Sequence, residues 1–153
     1  MEITFAPRGI LQIDDAKLCY RNFSGAGSKF NREGDRNFSV IIDDEAIAEA
    51  LTQEGWNVKV KPSRDEDDTP FMTLPVKVKF NDRGPTVYLV SGGVKNRLDE
   101  ESIDVLDNVD IISVDLDIRP YNWEVNGKTG RTAYLQSICV VQQIDRFSNR
   151  YDD

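Results

Sequence analysis

Apolar and polar residues alternate with a period of two over most of the chain, and that period predicts strands. Residues 8–22 read as a long first strand, with Ala16, Leu18 and Tyr20 alternating against Lys17, Cys19 and Arg21. The polar loop NFSGAGSKFNREGD follows, its three glycines permitting turns. RNFSVIID then sets Phe38, Val40 and Ile42 against Asn37, Ser39 and Ile41, a second strand. The period changes after it. Asp43 suits an N-cap, Asp44 and Glu45 complement the helix dipole, and Gly55 suits the stop. Ile47, Ala50 and Leu51 share one face, so residues 44–54 are expected to form an amphipathic helix.

Beyond Gly55, WNVKVKP places Trp56, Val58 and Val60 inward and Asn57, Lys59 and Lys61 outward. The charged run SRDEDDTP reads as a solvated loop, with a carboxylate metal cluster as the alternative. FMTLPVKVKF (71–80) and TVYLVS (86–91) read as a hairpin around the turn NDRGP. LDEESIDVLDNV presents Ile103 and Leu106 on one side of a short acidic helix capped by Asp99. In the last third, DIISVDLDIRPYNWEV and TGRTAYLQSICVVQQ meet at Asn126–Gly127, the strongest short hairpin signal. The expected fold class is mainly β with two short helices, a small antiparallel barrel with a long C-terminal hairpin. Residues 1–145 read as one domain and 146–153 as a short polar, acidic tail.

A parity count along Asp110–Trp123 separates two faces. Ile112, Val114, Leu116 and Ile118 point to the core; Asp115, Asp117, Arg119, Tyr121 and Trp123 share the other side. Large exposed aromatics fit a flat nucleobase as partner. A bulge at Pro120 would instead flip the register and turn Tyr121 or Trp123 inward. Lys128 and Arg131 lie near the same tip on the opposing strand, and Lys77 and Lys79 share the outward face of theirs. Those lysines serve a groove, or else protect an edge. In KFNREGDRNF, Lys29 leads and Phe30 and Phe38 flank Arg32 and Arg36, with Gly34 between the arginines. One reading has the arginines meeting phosphates and Phe30 stacking on a base. The other buries Phe38 in the core and pairs Arg32 and Arg36 with Glu33 and Asp35.

The formal net charge of -8 opposes a polyanionic ligand only as a total. Asp43–Glu54 and Asp99–Asp117 hold acids without bases, whereas Arg21–Arg36, Lys77–Arg97 and Arg119–Arg131 are enriched in bases. Local field decides where a strand of nucleic acid docks. Histidine is absent and Cys19 and Cys139 are the only cysteines, which removes the usual zinc site and the nucleophile–histidine–acid triad. The cysteines read as buried thiols, with a disulfide as the alternative. Asp115 and Asp117 leave a magnesium-dependent nuclease as a distant alternative; no cofactor is otherwise expected. No apolar run is long enough to span a bilayer and the N-terminus lacks a signal-peptide pattern, so a cytoplasmic location is expected.

RNFSGAGSKFNREGDRNFSV, EGWNVK, NRLDEESIDVLDNVDI and RPYNWEVNGKTGRTAYLQSI together resemble phage-encoded single-stranded DNA-binding proteins of replication and recombination modules. The resemblance covers about residues 10–145. It implies an OB-fold barrel with an extended hairpin, and sequence-independent coating of single strands. It further implies contacts from Lys29, Arg32 and Arg36 in the first loop and Arg119, Tyr121 and Trp123 in the final hairpin. Recruitment of replication or recombination proteins through an acidic tail is a family feature, of which NRYDD is a short version. A homo-oligomer remains open. The rival from another class is a protein-interaction module whose acidic helices engage a basic partner.

Overall fold

The computed structural model describes residues 1–64 and 70–143. Most of the SRDEDDTP run and the whole of the 146–153 tail lie outside the described residues. The chain is mainly β, as its period predicts. Its strands are β1 (Glu2–Phe5), β2 (Leu11–Asp14), β3 (Leu18–Asn22), β4 (Arg36–Ile42), β5 (Lys59–Lys61), β6 (Phe71–Val78), β7 (Thr86–Ser91), β8 (Val94–Leu98), β9 (Ile111–Val125) and β10 (Lys128–Gln142). They join one sheet in the order β1-β2-β9-β10-β6-β4-β3, with β5 on β6 and β7 bridging β10 to β8.

The expected first strand, residues 8–22, is two strands, β2 and β3, and β1 precedes them. Arg8 and Asp15 take left-handed backbone angles (φ 66° and 54°), which end one extended run and begin the next. The Asp15 amide donates to Asp115 Oδ1 at 2.9 Å, tying that break to β9. The helix, α1 (Glu45–Gln53), is capped by Asp44, one residue later than expected: its side chain accepts from the Ala46 amide at 2.8 Å. The second helix is only a 3-10 turn, Ile103–Asp107, although Ile103 and Leu106 are buried as their spacing demands. Five residues are too few to offset the cost of nucleating an α-helix, and Asp99 organises the turn instead. Its carboxylate accepts from the amides of Glu101 and Ser102 and from Ser102 Oγ, bonds led by that hydroxyl, which hold Asp99 below the usual carboxylate range.

Residues 71–80 and 86–91 are not a hairpin. Both β6 and β7 run parallel to β10, with Val76 beside Ala133 and Val87 beside Ile138. The NDRGP segment is therefore a bulging loop in one interrupted edge, and the sheet is mixed rather than purely antiparallel. The expected inward position of Val60 fails because β5 pairs only with β6 and stays exposed along its length. Ile112 is 61% exposed against expectation. An irregularity between Val141 and Gln142 flips the parity at the start of β9, so Ile111 packs against the core in its place. Val114, Leu116 and Ile118 are buried, together with Phe38, Leu74, Val76, Leu135 and Ile138. Phe23 stacks on Phe38 with ring centroids 5.0 Å apart. Cys19 and Cys139 are free and half-buried, and burial pushes the Cys19 thiol up. Among the described residues no helix is long and apolar enough to cross a membrane.

Candidate nucleic-acid interface

The register of the β9–β10 hairpin places the aromatic residues. Asn126 and Gly127 both have positive φ, as a two-residue hairpin turn requires, and Val125 pairs with Lys128 across them. Pairing then runs without a shift to Leu135 opposite Ile118, so Pro120 simply faces Ala133. The bulge lies at Gln136, beyond the site, and Tyr121 and Trp123 stay on the outer face, 59% and 37% exposed. Arg119 stands opposite Tyr134, Tyr121 opposite Thr132, and Trp123 opposite Gly130. The Tyr121 and Tyr134 rings meet edge to face at 6.0 Å, and the Arg119 guanidinium sits 5.5 Å from the Tyr134 centroid. Trp123 lies against the bare backbone of Gly130; a Cβ there would stand 2.3 Å from Trp123 Cζ2.

Strand β6 extends this face. Met72, Leu74, Val76 and Val78 are buried, and the alternate positions Phe71, Thr73, Pro75 and Lys77 point the other way. Lys77 pairs with Tyr134, so cation and ring are neighbours. One cleft is lined by Asn31, Asn37, Pro75, Lys77, Lys79 and Tyr134. A second, lined by Lys59, Pro75, Lys77, Trp123 and Thr132, adjoins it through Pro75 and Lys77. Lys77, Lys79 and Lys128 carry no ion pair among the described residues.

The loop between β3 and β4 forms one wall of the first cleft. Asn31 organises it: its side-chain amide donates to the carbonyls of Ala26, Arg32 and Asp35, and its oxygen accepts from Asn37 Nδ2. At the tip, Phe30 is 93% exposed, with the Lys29 ammonium 5.9 Å from its ring. Arg32 is exposed beside it. Arg36 also lines the first cleft, but its guanidinium is held by other partners. Its guanidinium donates to Phe23 O, to Glu100 O at 3.1 Å and to Asp104 Oδ1 at 2.8 Å. Arg21 donates to Leu106 O and Val109 O, while the Asp107 carboxylate accepts from the amides of Phe23 and Ser24. These bonds lock the acidic 99–109 segment to the root of the loop.

Arg131 is likewise engaged, although it lines the second cleft with Trp123. It alternates with Gly130 and Thr132 and so faces away from Trp123, stacking 5.3 Å from the Trp56 ring. Its Nε donates to Asn122 Oδ1 at 2.8 Å and its amide to Gly55 O at 3.1 Å. Lys128, paired with Val125 at the hairpin tip, is on the Trp123 side. The structure thus brings together Lys77, Lys79, Arg119, Tyr121 and Trp123 and borders them with the loop of Lys29, Phe30 and Arg32; Arg36 lines the first cleft and Arg131 the second, each with its guanidinium already engaged. It adds Tyr134, Lys59, Pro75 and Gly130. Counting back from Asn126–Gly127 pairs residue 134 with 119, so Tyr134 was within reach of the hairpin signal alone.

The family model described as "Putative phage ssDNA-binding domain" matches residues 3–153. Among curated proteins none matches the chain. Solved structures of a bacteriophage protein share the fold. The single-stranded DNA-binding protein from bacteriophage Enc34 in complex with ssDNA is 13% identical, with a TM-score of 0.59 over 95% of this chain and 93% of that one. The same Enc34 protein in another structure is 12% identical, with a TM-score of 0.59 over 99% of this chain and 90% of that one. With a family match running almost from end to end and an aromatic, cationic face on the sheet, the chain belongs to the phage ssDNA-binding domain family.

Proposed function

We propose that this chain binds single-stranded DNA without sequence preference, in phage DNA replication or recombination within the host cytoplasm. Unstacked bases lie on Tyr121, Trp123 and Tyr134, and the phosphates meet Lys59, Lys77, Lys79 and Arg119. Lys29, Phe30 and Arg32 close on the strand from the loop side, and Lys128 meets it at the hairpin tip. The observation that carries this reading is the meeting of Arg119, Tyr121, Trp123, Tyr134 and Lys77 on one side of β9, β10 and β6. Exposed ring faces reward bases that are already splayed, which a duplex does not offer. The Enc34 protein of like fold has been solved in complex with ssDNA.

Arg36 and Arg131 are structural in this account, since their guanidinium groups are already engaged. The rival reading, an acidic surface for a basic protein partner, is weakened because Asp104 and Asp107 are spent on Arg36 and on the Phe23 and Ser24 amides. Asp115 and Asp117, the pair behind the nuclease alternative, accept from the Asp15 amide and the Ser137 hydroxyl. A gel shift with labelled oligo-dT and with a duplex of equal length tests the proposal. Retention of the single strand alone is expected; retention of neither, or equal retention of both, overturns it.

A further inference from the structure

We infer a second base-stacking subsite, built by Tyr20 and Phe71 across β3, β5 and β6, that extends the single-strand path beyond Trp123. This rests on the single-strand reading above and adds a location that the hairpin face does not contain. The starting observation is a backbone outlier. Tyr20 has φ 51°, in the left-handed region where a bulky side chain is rare, at the point where the β3–β4 register slips between Cys19 and Asn22. Such conformations persist where the surroundings enforce them, and they gather at ligand sites.

The strained residue buries little in return. Its ring is 65% exposed and meets Phe71 edge to face at 6.3 Å and 89°, and Phe71 is itself 38% exposed. Beside the two rings lies a cleft lined by Ser39, Thr73, Lys59 and Lys61 as well as the aromatics. Both lysines are exposed on β5, two residues apart and therefore on one side of it. Rings for bases, ammonium groups for phosphates and hydroxyls between them repeat the chemistry of the Trp123 cleft. The two are also continuous: Pro75 and Lys59 line both. A strand leaving Trp123 over Lys59 arrives at Tyr20 and Phe71 without crossing an acidic side chain among those lining either cleft.

The test is binding of labelled oligo-dT, about 4 to 16 nucleotides long, followed by fluorescence anisotropy at one low salt concentration. The proteins are the unmodified full chain, Tyr20→Gly, Tyr20→Phe and Phe71→Ala. Glycine takes φ 51° without steric cost, so Tyr20→Gly removes the ring while relaxing the backbone and should melt no earlier than the parent. Affinity of the parent should climb with length. Tyr20→Gly and Phe71→Ala should lose about 5- to 150-fold on the longest oligonucleotide, match the parent on the shortest it holds, and leave Tyr20→Phe near the parent throughout. Parent-like binding of the longest oligonucleotide by both ring-deleted variants overturns the subsite and leaves the hairpin reading standing. So does an equal loss at every length, which would mean one site rather than two. A parent that binds no length removes the single-strand reading and the subsite with it.

Discussion

Trp123 rests on Gly130, its partner across the β9–β10 hairpin, so closely that a methyl group on Gly130 would stand 2.3 Å from Trp123 Cζ2 and 2.6 Å from Cε2. The glycine is thus the seat of the platform. Gly130 is not among the positive-φ glycines, so alanine fits the backbone and only the indole must move. Gly130→Ala is expected to leave the fold intact and to weaken oligo-dT binding by about 1–3 kcal/mol, as deletion of the stacked ring would. Parent-like affinity with parent-like tryptophan emission would show that the seat does not matter.

Tyr121 and Tyr134 hold each other edge to face, and Arg119 covers Tyr134. Alanine at Tyr121 or Tyr134 should each cost about 1–3 kcal/mol of oligo-dT affinity. The double variant should fall short of the sum, because each ring orients the other. Titrations of the four proteins of this cycle provide the check; strict additivity would mean that the rings act independently.

Arg36 and Lys77 separate structural from phosphate-binding cations. Replacing Arg36 by Ala strips donors from Asp104 and from the Phe23 and Glu100 carbonyls, and should lower unfolding stability in urea by about 1.5–3 kcal/mol. Lys77→Ala should leave urea stability near the parent and flatten the salt dependence of oligo-dT binding by about 0.7 in log–log slope. An unchanged slope for Lys77→Ala would remove that lysine from the phosphate path.

Asp99 gives the acidic turn a pH dependence. Its carboxyl lies below the ordinary value of 3.8 in the folded chain, chiefly through the Ser102 hydroxyl bond. A lowered folded value stabilises the fold above the unfolded pKa, and that stability is lost as pH falls through the folded one. Melting temperature should therefore drop less between pH 6 and pH 3 for Asp99→Asn than for the parent. A parallel drop in both would place the acid sensitivity elsewhere.

Local signals made the hairpin legible and long-range ones hid much of the rest. Asn126–Gly127 and the alternation of β9 were enough to put Arg119, Tyr121 and Trp123 on one face, because turn and register are neighbours in sequence. The partners of β6 and β7 are not. Their parallel pairing to β10 lies about fifty residues away, and two runs separated by a Gly-Pro turn imitate a hairpin until that partner is known. The partner of Arg36 was out of sight for the same reason: Asp104, which holds it, is 68 positions on. Phe71 and Lys59 share alternations visible in the sequence, but only the sheet order brings them to Tyr20.

The central claim, that one outer face of β9, β10 and β6 holds the single strand, is tested most directly by tryptophan emission during an oligo-dT titration. Trp56 is buried at 3% exposure beneath Arg131, whereas Trp123 is open to the proposed strand. The account predicts saturable quenching in the parent, its loss in Trp123→Phe, and its retention in Trp56→Phe provided that variant remains folded. Quenching that survives in Trp123→Phe at the parent's amplitude would contradict it.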